Sequence, residues 1–158
     1  METTTAYKVR ETTWPDRAYL IKKAVIPFDK LAGFFREQYG VLYGALQQQN
    51  IQPPAVATAF YFTIDEKKKE TEVAAAVQLP GTATEVKGLE KFILPGGKRI
   101  TTTYYGKYEE MMPAYQELEK YLREKMLTRE LYIEEYFSDP EKETDPAKMR
   151  TDIYFAVK

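Results

Sequence analysis

The second half of this 158-residue chain repeats the pattern of the first half at a spacing of 80 residues. Residues 71–77 (TEVAAAV) align with residues 151–157 (TDIYFAV). Each half is too short to bury a sizeable core alone. We therefore expect one domain over residues 1–158, built from repeats at about 6–79 and 87–157 around a pseudo-twofold axis. A seam between two such halves is a natural place for a ligand cleft. The same spacing pairs Pro15 with Pro95, Phe28 with Tyr108, Leu31 with Met111, Phe35 with Tyr115 and Leu42 with Leu122.

The composition argues against several classes of protein. With 30% charged and 44% hydrophobic residues, the chain has the balance of an ordinary globular domain. The net charge is +1 for residues 1–80 and −2 for residues 81–158, so neither half has the positive excess that phosphate contacts need. No apolar run approaches the roughly 18 residues of a membrane span, and residues 1–5 lack a signal-sequence pattern. These features predict a cytoplasmic protein that binds neither nucleic acid nor membranes.

The residue types that are missing limit the chemistry. The chain has no Cys and no His, which excludes disulfides, thiolate or imidazole catalysis, and Cys- or His-ligated metals. It also lacks the glycine patterns of nucleotide-binding loops. We therefore expect no cofactor and no metal, and any catalysis must rest on carboxylates, Lys or Tyr. The surplus is aromatic: 13 Tyr, 8 Phe and one Trp.

Hydrophobic periodicity predicts four strands and one helix in each half. The helices are expected to begin near Pro27 and Tyr108. We expect the first two strands of each half to form hairpins that turn at residues 14–16 and 95–97, where Pro and Gly lie between strand-like runs. The predicted strands are 7–12, 17–25, 55–63 and 71–79 in the first half, and 89–94, 98–105, 131–137 and 151–157 in the second half.

Three segments resemble the GyrI-like small-molecule-binding family: residues 105–115 (YGKYEEMMPAY), 133–140 (IEEYFSDP) and 151–157 (TDIYFAV). The resemblance covers nearly the whole chain from Tyr7 to Lys158. It implies an α+β fold in which two strand-helix-strand-strand units share a curved antiparallel sheet, with an aromatic cleft between the two helices. The periodicity adds one strand before each helix, so either each half carries an extra hairpin or one bent strand has been counted twice.

The same family includes the effector-binding domains of some AraC-type and MerR-type transcription regulators. In those regulators a DNA-binding segment precedes the domain, whereas here the first predicted strand begins by about Tyr7. The chain therefore resembles the stand-alone form of the domain, and we expect it not to bind DNA.

Glu134 is the strongest candidate for a binding residue. At the spacing of 75 that relates the third strands, its counterpart is Ala59, so the scaffold does not require an acid there. In the family pattern the acid of the cleft stands two positions before a strand tyrosine, here Tyr136. Strand alternation places Tyr132, Glu134 and Tyr136 on one face, and a carboxylate between two tyrosine rings suits a cation. The alternative is an exposed glutamate on a half-solvated sheet. Glu135 has no such match and is predicted to be structural.

Further aromatic side chains are candidates for the same cleft. Tyr108 stands at the predicted entrance of the second helix, and Tyr154 lies on the last strand in a segment that resembles the family. The weaker candidates are Tyr104, Tyr19, Trp14 and Phe60. In contrast, apolar residues that recur at helical spacing are predicted to lie in the core. These are Phe28, Phe35, Tyr115 and Leu122.

Three functions remain open. The first is polyspecific binding of hydrophobic, aromatic and often cationic small molecules, with Glu134 at the base of an aromatic cleft. The second is a hydrolase, because some stand-alone members of the family resemble enzymes that open cyclopropane rings of DNA-alkylating natural products; Glu134 would then be catalytic. The third is a module that interacts with DNA gyrase, as for some family members. A net charge of −1 gives little support for mimicry of DNA.

Overall fold

The computed structural model describes residues 7–52, 56–81, 84–138 and 142–158. Each half contributes two strands, a helix and two further strands, as the periodicity predicted. The first half contains β1 (Arg10–Trp14), β2 (Arg17–Pro27), α1 (Leu31–Gln48), β3 (Ala57–Asp65) and β4 (Glu70–Gln78). The second half contains β5 (Glu90–Leu94), β6 (Gly97–Tyr105), α2 (Met112–Lys125), β7 (Arg129–Tyr136) and β8 (Arg150–Val157). The predicted strand start at Ala55, and Asp139 and Pro140 of the family-like segment, lie outside the described residues.

The eight strands form one antiparallel sheet in the order β1-β6-β8-β7-β3-β4-β2-β5. Read from either end, this order gives the first strand of one half and then the second, fourth and third strands of the other half. The strand order therefore has the symmetry of the sequence repeat, and its centre lies between β3 and β7. The predicted α+β fold with a curved antiparallel sheet and two helices is confirmed, with one further strand before each helix.

The two predicted hairpins are wrong. β1 pairs with β6, and β5 pairs with β2, so the first strand of each half joins the ladder of the other half. The two-residue links contain Pro15 and Pro95 at their first position, where the tight hairpin turns need a positive φ that proline cannot adopt. The links are instead corners that pack against each other: the Gly96 amide donates to Asp16 Oδ1 at 2.7 Å.

Both helices begin after a short turn of 3-10 helix, at Phe28–Lys30 and Tyr108–Glu110, two segments that are themselves 80 residues apart. Pro113 lies in the first turn of α2, where the missing amide costs no intrahelical bond. α2 ends at Lys125, and the capping residue Met126 has a left-handed backbone and an amide that bonds back to the last turn. No helix in the described residues is long and apolar enough to cross a membrane.

The sheet curls into a half-barrel and has a core on each face. The face against which both helices pack, called here the helical face, buries the apolar stripes of α1 and α2, including Leu42, Leu46, Leu118 and Leu122. The opposite face, called here the inner face, buries a separate aromatic and aliphatic cluster, including Tyr19, Phe60 and Ile133. A side chain on one face is thus separated from those on the other by the thickness of the sheet.

Candidate ligand-binding site

Glu134 lies at the centre of the molecule's internal symmetry. In the antiparallel ladder between β3 and β7, Ala59 pairs directly with Glu134, Ala57 with Tyr136 and Tyr61 with Tyr132. Ala59 is also the counterpart of Glu134 in the sequence repeat, at the spacing of 75. A residue that pairs with its own repeat counterpart stands where the pseudo-twofold axis crosses the sheet. The seam between the halves therefore carries one carboxylate, opposite a small apolar residue.

The carboxylate of Glu134 is buried on the helical face and held by two hydroxyl groups. Its residue is 7% exposed. The Tyr136 hydroxyl donates to Oε1 at 2.6 Å, and the Tyr115 hydroxyl donates to Oε2. Burial raises the pKa of Glu134 above its usual range, although the two tyrosine hydrogen bonds favour the charged form and oppose that rise. Among the described residues no salt bridge includes Glu134, so its partners are neutral.

Aromatic rings surround this carboxylate from both halves of the chain. The hydroxyls of Tyr61 and Tyr136 are 3.4 Å apart. The ring centroid of Phe35, on α1, lies 6.4 Å from that of Tyr61 and 6.1 Å from that of Tyr136. Tyr39, one turn further along α1, stacks on Phe35 at 5.7 Å. The pKa values of Tyr39 and Tyr61 are raised well above the usual range, first by burial and then by nearby charges that include Glu134.

Tyr108 extends the aromatic group toward the start of α2. Its ring centroid lies 5.4 Å from that of Tyr136, and its hydroxyl donates to the backbone oxygen of Ser138 at 2.7 Å. The short 3-10 turn before α2 positions this ring, while the strand β7 positions Tyr136. We call Glu134 and the rings around it the axial cluster; its members are Phe35, Tyr39, Tyr61, Tyr108, Tyr115, Glu134 and Tyr136.

The chemistry of the axial cluster favours a positively charged partner. A buried carboxylate without a counter-charge pays a desolvation cost that a cation reduces. Tyrosine and phenylalanine rings add attraction for a cation over their faces, about 0.5 to 2 kcal/mol for each suitable contact. No group of three or more acidic, Cys or His side chains suited to a metal occurs among the described residues.

The structure brings together three of the eight predicted site residues and places the other five elsewhere. Glu134, Tyr136 and Tyr108 belong to the axial cluster. Tyr104 lies on the helical face but packs under α2, where its hydroxyl donates to Lys107 O at 2.7 Å. The remaining four lie on the inner face: Trp14, Tyr19, Phe60 and Tyr154. Tyr154 pairs across the ladder with Ile133, the neighbour of Glu134, and therefore shares the opposite face.

Sequence reasoning missed four members of the axial cluster. Phe35 and Tyr115 were predicted to be core residues; both are half-buried, and they also contact the cluster. The signal was present, because they are repeat counterparts at the spacing of 80. Tyr61 is likewise the counterpart of Tyr136, and Tyr39 follows Phe35 by one helical turn. The counterpart pairs Phe35 with Tyr115 and Tyr61 with Tyr136 both place aromatic rings near Glu134, so the repeat could have been used to predict the cluster.

A comparison with known protein families matches residues 7–158 to the GyrI-like small molecule binding domain. Among solved structures, the EcmrR C-terminal domain superposes with a TM-score of 0.81 at 16% sequence identity, covering 96% of this chain and 98% of that one. In the EcmrR–DNA complex the TM-score is again 0.81, but this chain spans only 57% of the EcmrR chain. No curated protein sequence matches.

Two more distant structures share the fold. SAV2435 bound to tetraphenylphosphonium has a TM-score of 0.67 at 16% identity, covering 96% of this chain and 94% of that one. A hydrolase encoded by lin2189 from Listeria innocua has a TM-score of 0.69 at 14% identity, covering 96% of this chain and 92% of that one. At these identities the likeness is one of fold.

Proposed function

We propose that this chain, which belongs to the GyrI-like small-molecule-binding family, captures hydrophobic aromatic cations of varied shape at the axial cluster. One observation carries this function: the carboxylate of Glu134 is buried at the seam between the halves with only tyrosine hydroxyls as partners. A desolvated anion that lacks a counter-charge gains more from a cation than from any neutral ligand. The charge of the ligand is therefore the first property selected.

The aromatic members set the second property, which is a flat or bulky apolar surface. The ring of Phe35 contacts those of Tyr39, Tyr61 and Tyr136, with centroid distances of 5.7, 6.4 and 6.1 Å. Contacts to ring faces do not require a particular hydrogen-bond geometry, so molecules of different outline can make them. One charge and several rings thus favour a class of ligands over a single compound. SAV2435, which shares the fold, binds a ligand of this class.

The direct test is titration with tetraphenylphosphonium by calorimetry. The cation carries a permanent charge inside four phenyl rings and offers no hydrogen-bond donor, so it probes charge and aromatic contact alone. We expect saturable binding to the wild-type protein. Glu134→Gln keeps the side-chain shape and removes the charge, and should weaken binding by about 30-fold or more, since losing one partner of a buried charge pair costs at least about 2 kcal/mol.

The matched control is Glu130→Gln on the same strand. Glu130 has an exposed side chain, 47% accessible, and its substitution changes the net charge of the protein by the same amount. We expect this variant to bind the cation as the wild type does, within a factor of about two, because exposed charges are screened by salt. Equal affinities of wild type and Glu134→Gln would show that Glu134 does not hold the ligand.

Hydrolysis is a second candidate, favoured by the raised pKa and the hydrogen bonds of the same residue. A carboxyl group whose pKa is raised by burial is better suited to give or take a proton than an exposed glutamate, and two tyrosine hydroxyls already orient both of its oxygens. As an enzyme, the protein would add water across the strained ring of a cyclopropane-bearing DNA alkylator, with Glu134 activating the water or protonating the leaving carbon. Mass spectrometry distinguishes the two functions: a gain of one water that needs Glu134 indicates catalysis, and unchanged compound indicates binding alone.

A further inference from the structure

The inner face of the sheet contains a second cluster of charged and aromatic side chains, which the proposed cation binding does not use. Trp14 lies at its centre and is 6% exposed. The guanidinium carbon of Arg17 is 3.5 Å from the Trp14 ring centroid, and that of Arg99 is 5.2 Å from it. The Tyr154 ring centroid lies 4.5 Å from the Trp14 ring on the same face. Two guanidinium groups therefore share one aromatic ring inside the curled sheet.

These two cations have one carboxylate between them. Arg17 Nη1 lies 3.4 Å from Glu135 Oε2 and forms the salt bridge of this cluster. The neighbouring acid, Asp152, forms a salt bridge with Arg150, whose Nη2 lies 2.9 Å from Asp152 Oδ2. Glu130 acts on Arg99 only through space and forms an exposed salt bridge with Lys158. Among the described residues no salt bridge includes Arg99, so the cluster holds one positive charge in excess.

Arg99 is buried with a donor that has no partner. The residue is 3% exposed, and its Nη2 and Nη1 donate to the backbone oxygens of Pro95 and Lys98 at 2.6 and 3.2 Å. Its Nε finds no hydrogen-bond acceptor. Burial lowers the pKa of Arg99, and the nearby positive charge of Arg17 adds to this effect. An unpaired donor on a buried cation is unfavourable, and an anion relieves both the charge and the missing hydrogen bond.

A second unpaired group lies two residues along the same strand. The Thr101 hydroxyl is buried, in a residue that is 2% exposed, and it has no partner within hydrogen-bonding distance. Its side chain interacts with the Tyr154 hydroxyl only at longer range. Residues two apart on a strand point to the same face, so Arg99 and Thr101 both face the inner cluster. Thr101 stands directly across the ladder from Tyr154. A hydroxyl and a guanidinium N–H are both donors, and together they suit the oxygens of a small oxyanion.

We propose that the inner face binds a small carboxylate anion at Arg99 and Thr101, beside Trp14. A water molecule would satisfy the two donors but would leave the excess positive charge in place, whereas a carboxylate satisfies both. The ligand is a small organic acid, because buried aromatic and aliphatic side chains surround the two donors. This site lies on the opposite face of the sheet from Glu134 and takes the opposite charge.

Trp14 makes the site directly observable, because it is the only tryptophan in the chain. Sodium formate is titrated at constant ionic strength against sodium gluconate, whose anion carries the same charge on a much larger body, and Trp14 emission is recorded. We expect a saturable change with a midpoint of about 1 to 10 mM, a range that fits a ligand of three heavy atoms. The signal does not depend on whether Glu134 binds cations, since Trp14 lies on the other face.

Two variants and one control decide the assignment. Thr101→Val removes the hydroxyl at nearly constant volume and should raise the formate midpoint at least about threefold, the loss expected for one hydrogen bond. Arg99→Met should abolish the saturable response. Arg123→Met, at an exposed arginine of α2 away from the inner face, makes the same change in net charge and should leave the midpoint unaltered.

Arg99 also holds the Pro95 corner, so Arg99→Met is scored only if its circular dichroism matches that of the wild type. If that variant does not fold, Thr101→Val decides alone. A wild-type emission that responds equally to formate and gluconate overturns the site. An unchanged formate midpoint in Thr101→Val also overturns it.

Discussion

The two halves of the chain build the same frame but differ where they meet. On either side of the pseudo-twofold axis, Ala59 faces Glu134 and Phe35 on α1 is the counterpart of Tyr115 on α2. Only the second-half members carry a carboxylate and a hydroxyl that donates to it. The duplicated frame supplies the shape of the site. Its charge and its hydrogen bond come from two differences between the halves: Glu134 in place of Ala59, and Tyr115 in place of Phe35.

The halves are more equal in their rings than in their charge. Tyr61 and Tyr136 are repeat counterparts, and their hydroxyls approach to 3.4 Å across the seam. The first half also contributes Phe35 and Tyr39 to the axial cluster. The structure shows that the first half supplies rings too, so the asymmetry between the halves is mainly one of polarity.

The largest effect is expected where the halves should not differ at all. Leu42 on α1 and Leu122 on α2 are counterparts, and both are buried under their helices. Replacing either with Ala should lower the free energy of unfolding by about 2 to 5 kcal/mol, and by similar amounts. Urea denaturation of both variants measures this. Val41→Ala, at an exposed position of α1, is the control and should change stability by less than about 0.5 kcal/mol. If one of the two variants loses several kcal/mol of stability and the other loses none, the two halves are not equivalent in the core.

The crossing of the two corners gives the next largest effect. A Cβ on Gly96 would lie 2.6 Å from the backbone oxygen of Trp14, whereas a Cβ on Gly44 of α1 meets nothing within 4 Å. We expect Gly96→Ala to destabilise by about 1 to 3 kcal/mol through overpacking, and Gly44→Ala to stabilise by about 0.4 to 1 kcal/mol. Thermal melts of the two variants compare them directly. A Gly96→Ala protein as stable as the wild type would mean that the corners do not touch.

The pH dependence of cation binding sharpens the contrast between Glu134 and Ala59. Burial raises the pKa of Glu134 in the free protein, so as the pH is lowered this carboxyl takes up its proton earlier than an exposed glutamate does. A cation binds the ionised form, so its affinity is highest above that pKa and falls by up to about tenfold per pH unit below it. Titrations with tetraphenylphosphonium between about pH 8 and about pH 5 should show this fall in the wild type and none in Glu134→Gln. If the affinity for the cation does not change with pH in either protein, ionisation of Glu134 does not control cation binding.

The same raised pKa affects stability with the opposite sign. Because the folded protein holds the Glu134 proton more tightly than the unfolded chain, the free energy of unfolding falls as pH rises from the unfolded pKa through the folded pKa. The stabilising contribution is complete below the unfolded pKa and is lost above the folded one. A bound cation offsets this loss. The rise in melting temperature on adding tetraphenylphosphonium should therefore be larger above the folded-state pKa of Glu134 than below it.

The smallest effect tests the hydroxyl that distinguishes Tyr115 from Phe35. Tyr115→Phe removes a donor to Glu134 and should weaken binding of tetraphenylphosphonium by about two- to tenfold at neutral pH, as for one hydrogen bond of about 0.5 to 1.5 kcal/mol. Tyr121→Phe is the matched control on the same helix, since its hydroxyl bonds the exposed Glu11. If Tyr115→Phe binds the cation as well as Tyr121→Phe does, the Tyr115 hydroxyl does not contribute to cation binding.

The sequence predicted the elements of the fold better than their neighbours in the sheet. Periodicity and the repeat located eight strands and two helices, because alternation and helical stripes are local properties. Which strand pairs with which is not local. Trp14 and Gly97 lie opposite each other on β1 and β6, yet they are far apart in sequence and no pattern links them. The exchange of β1 and β5 between the halves was therefore predicted wrongly, as two local hairpins.

The candidate site was predicted in part for a similar reason. Alternation correctly placed Tyr132, Glu134 and Tyr136 on one face, since all three lie on one strand. It could not relate that face to the face of another strand. Tyr154 depends on its register against Ile133, which the sequence does not reveal. Whether the five candidates outside the axial cluster contact any ligand stays a prediction, and Trp14 and Tyr154 are tested by the anion titration.

The selection of ligands by the charge of Glu134 is measured by comparing two ions of the same shape and opposite charge. Tetraphenylphosphonium and tetraphenylborate present the same four rings around opposite charges, so the ratio of their Kd values isolates the contribution of charge. We expect the wild type to bind the cation at least about 100-fold more tightly, and Glu134→Gln to reduce that ratio at least about tenfold, given the cost of an unpaired buried charge. If the wild type binds the two ions equally, or if Glu134→Gln leaves the ratio unchanged, Glu134 does not select ligands by charge.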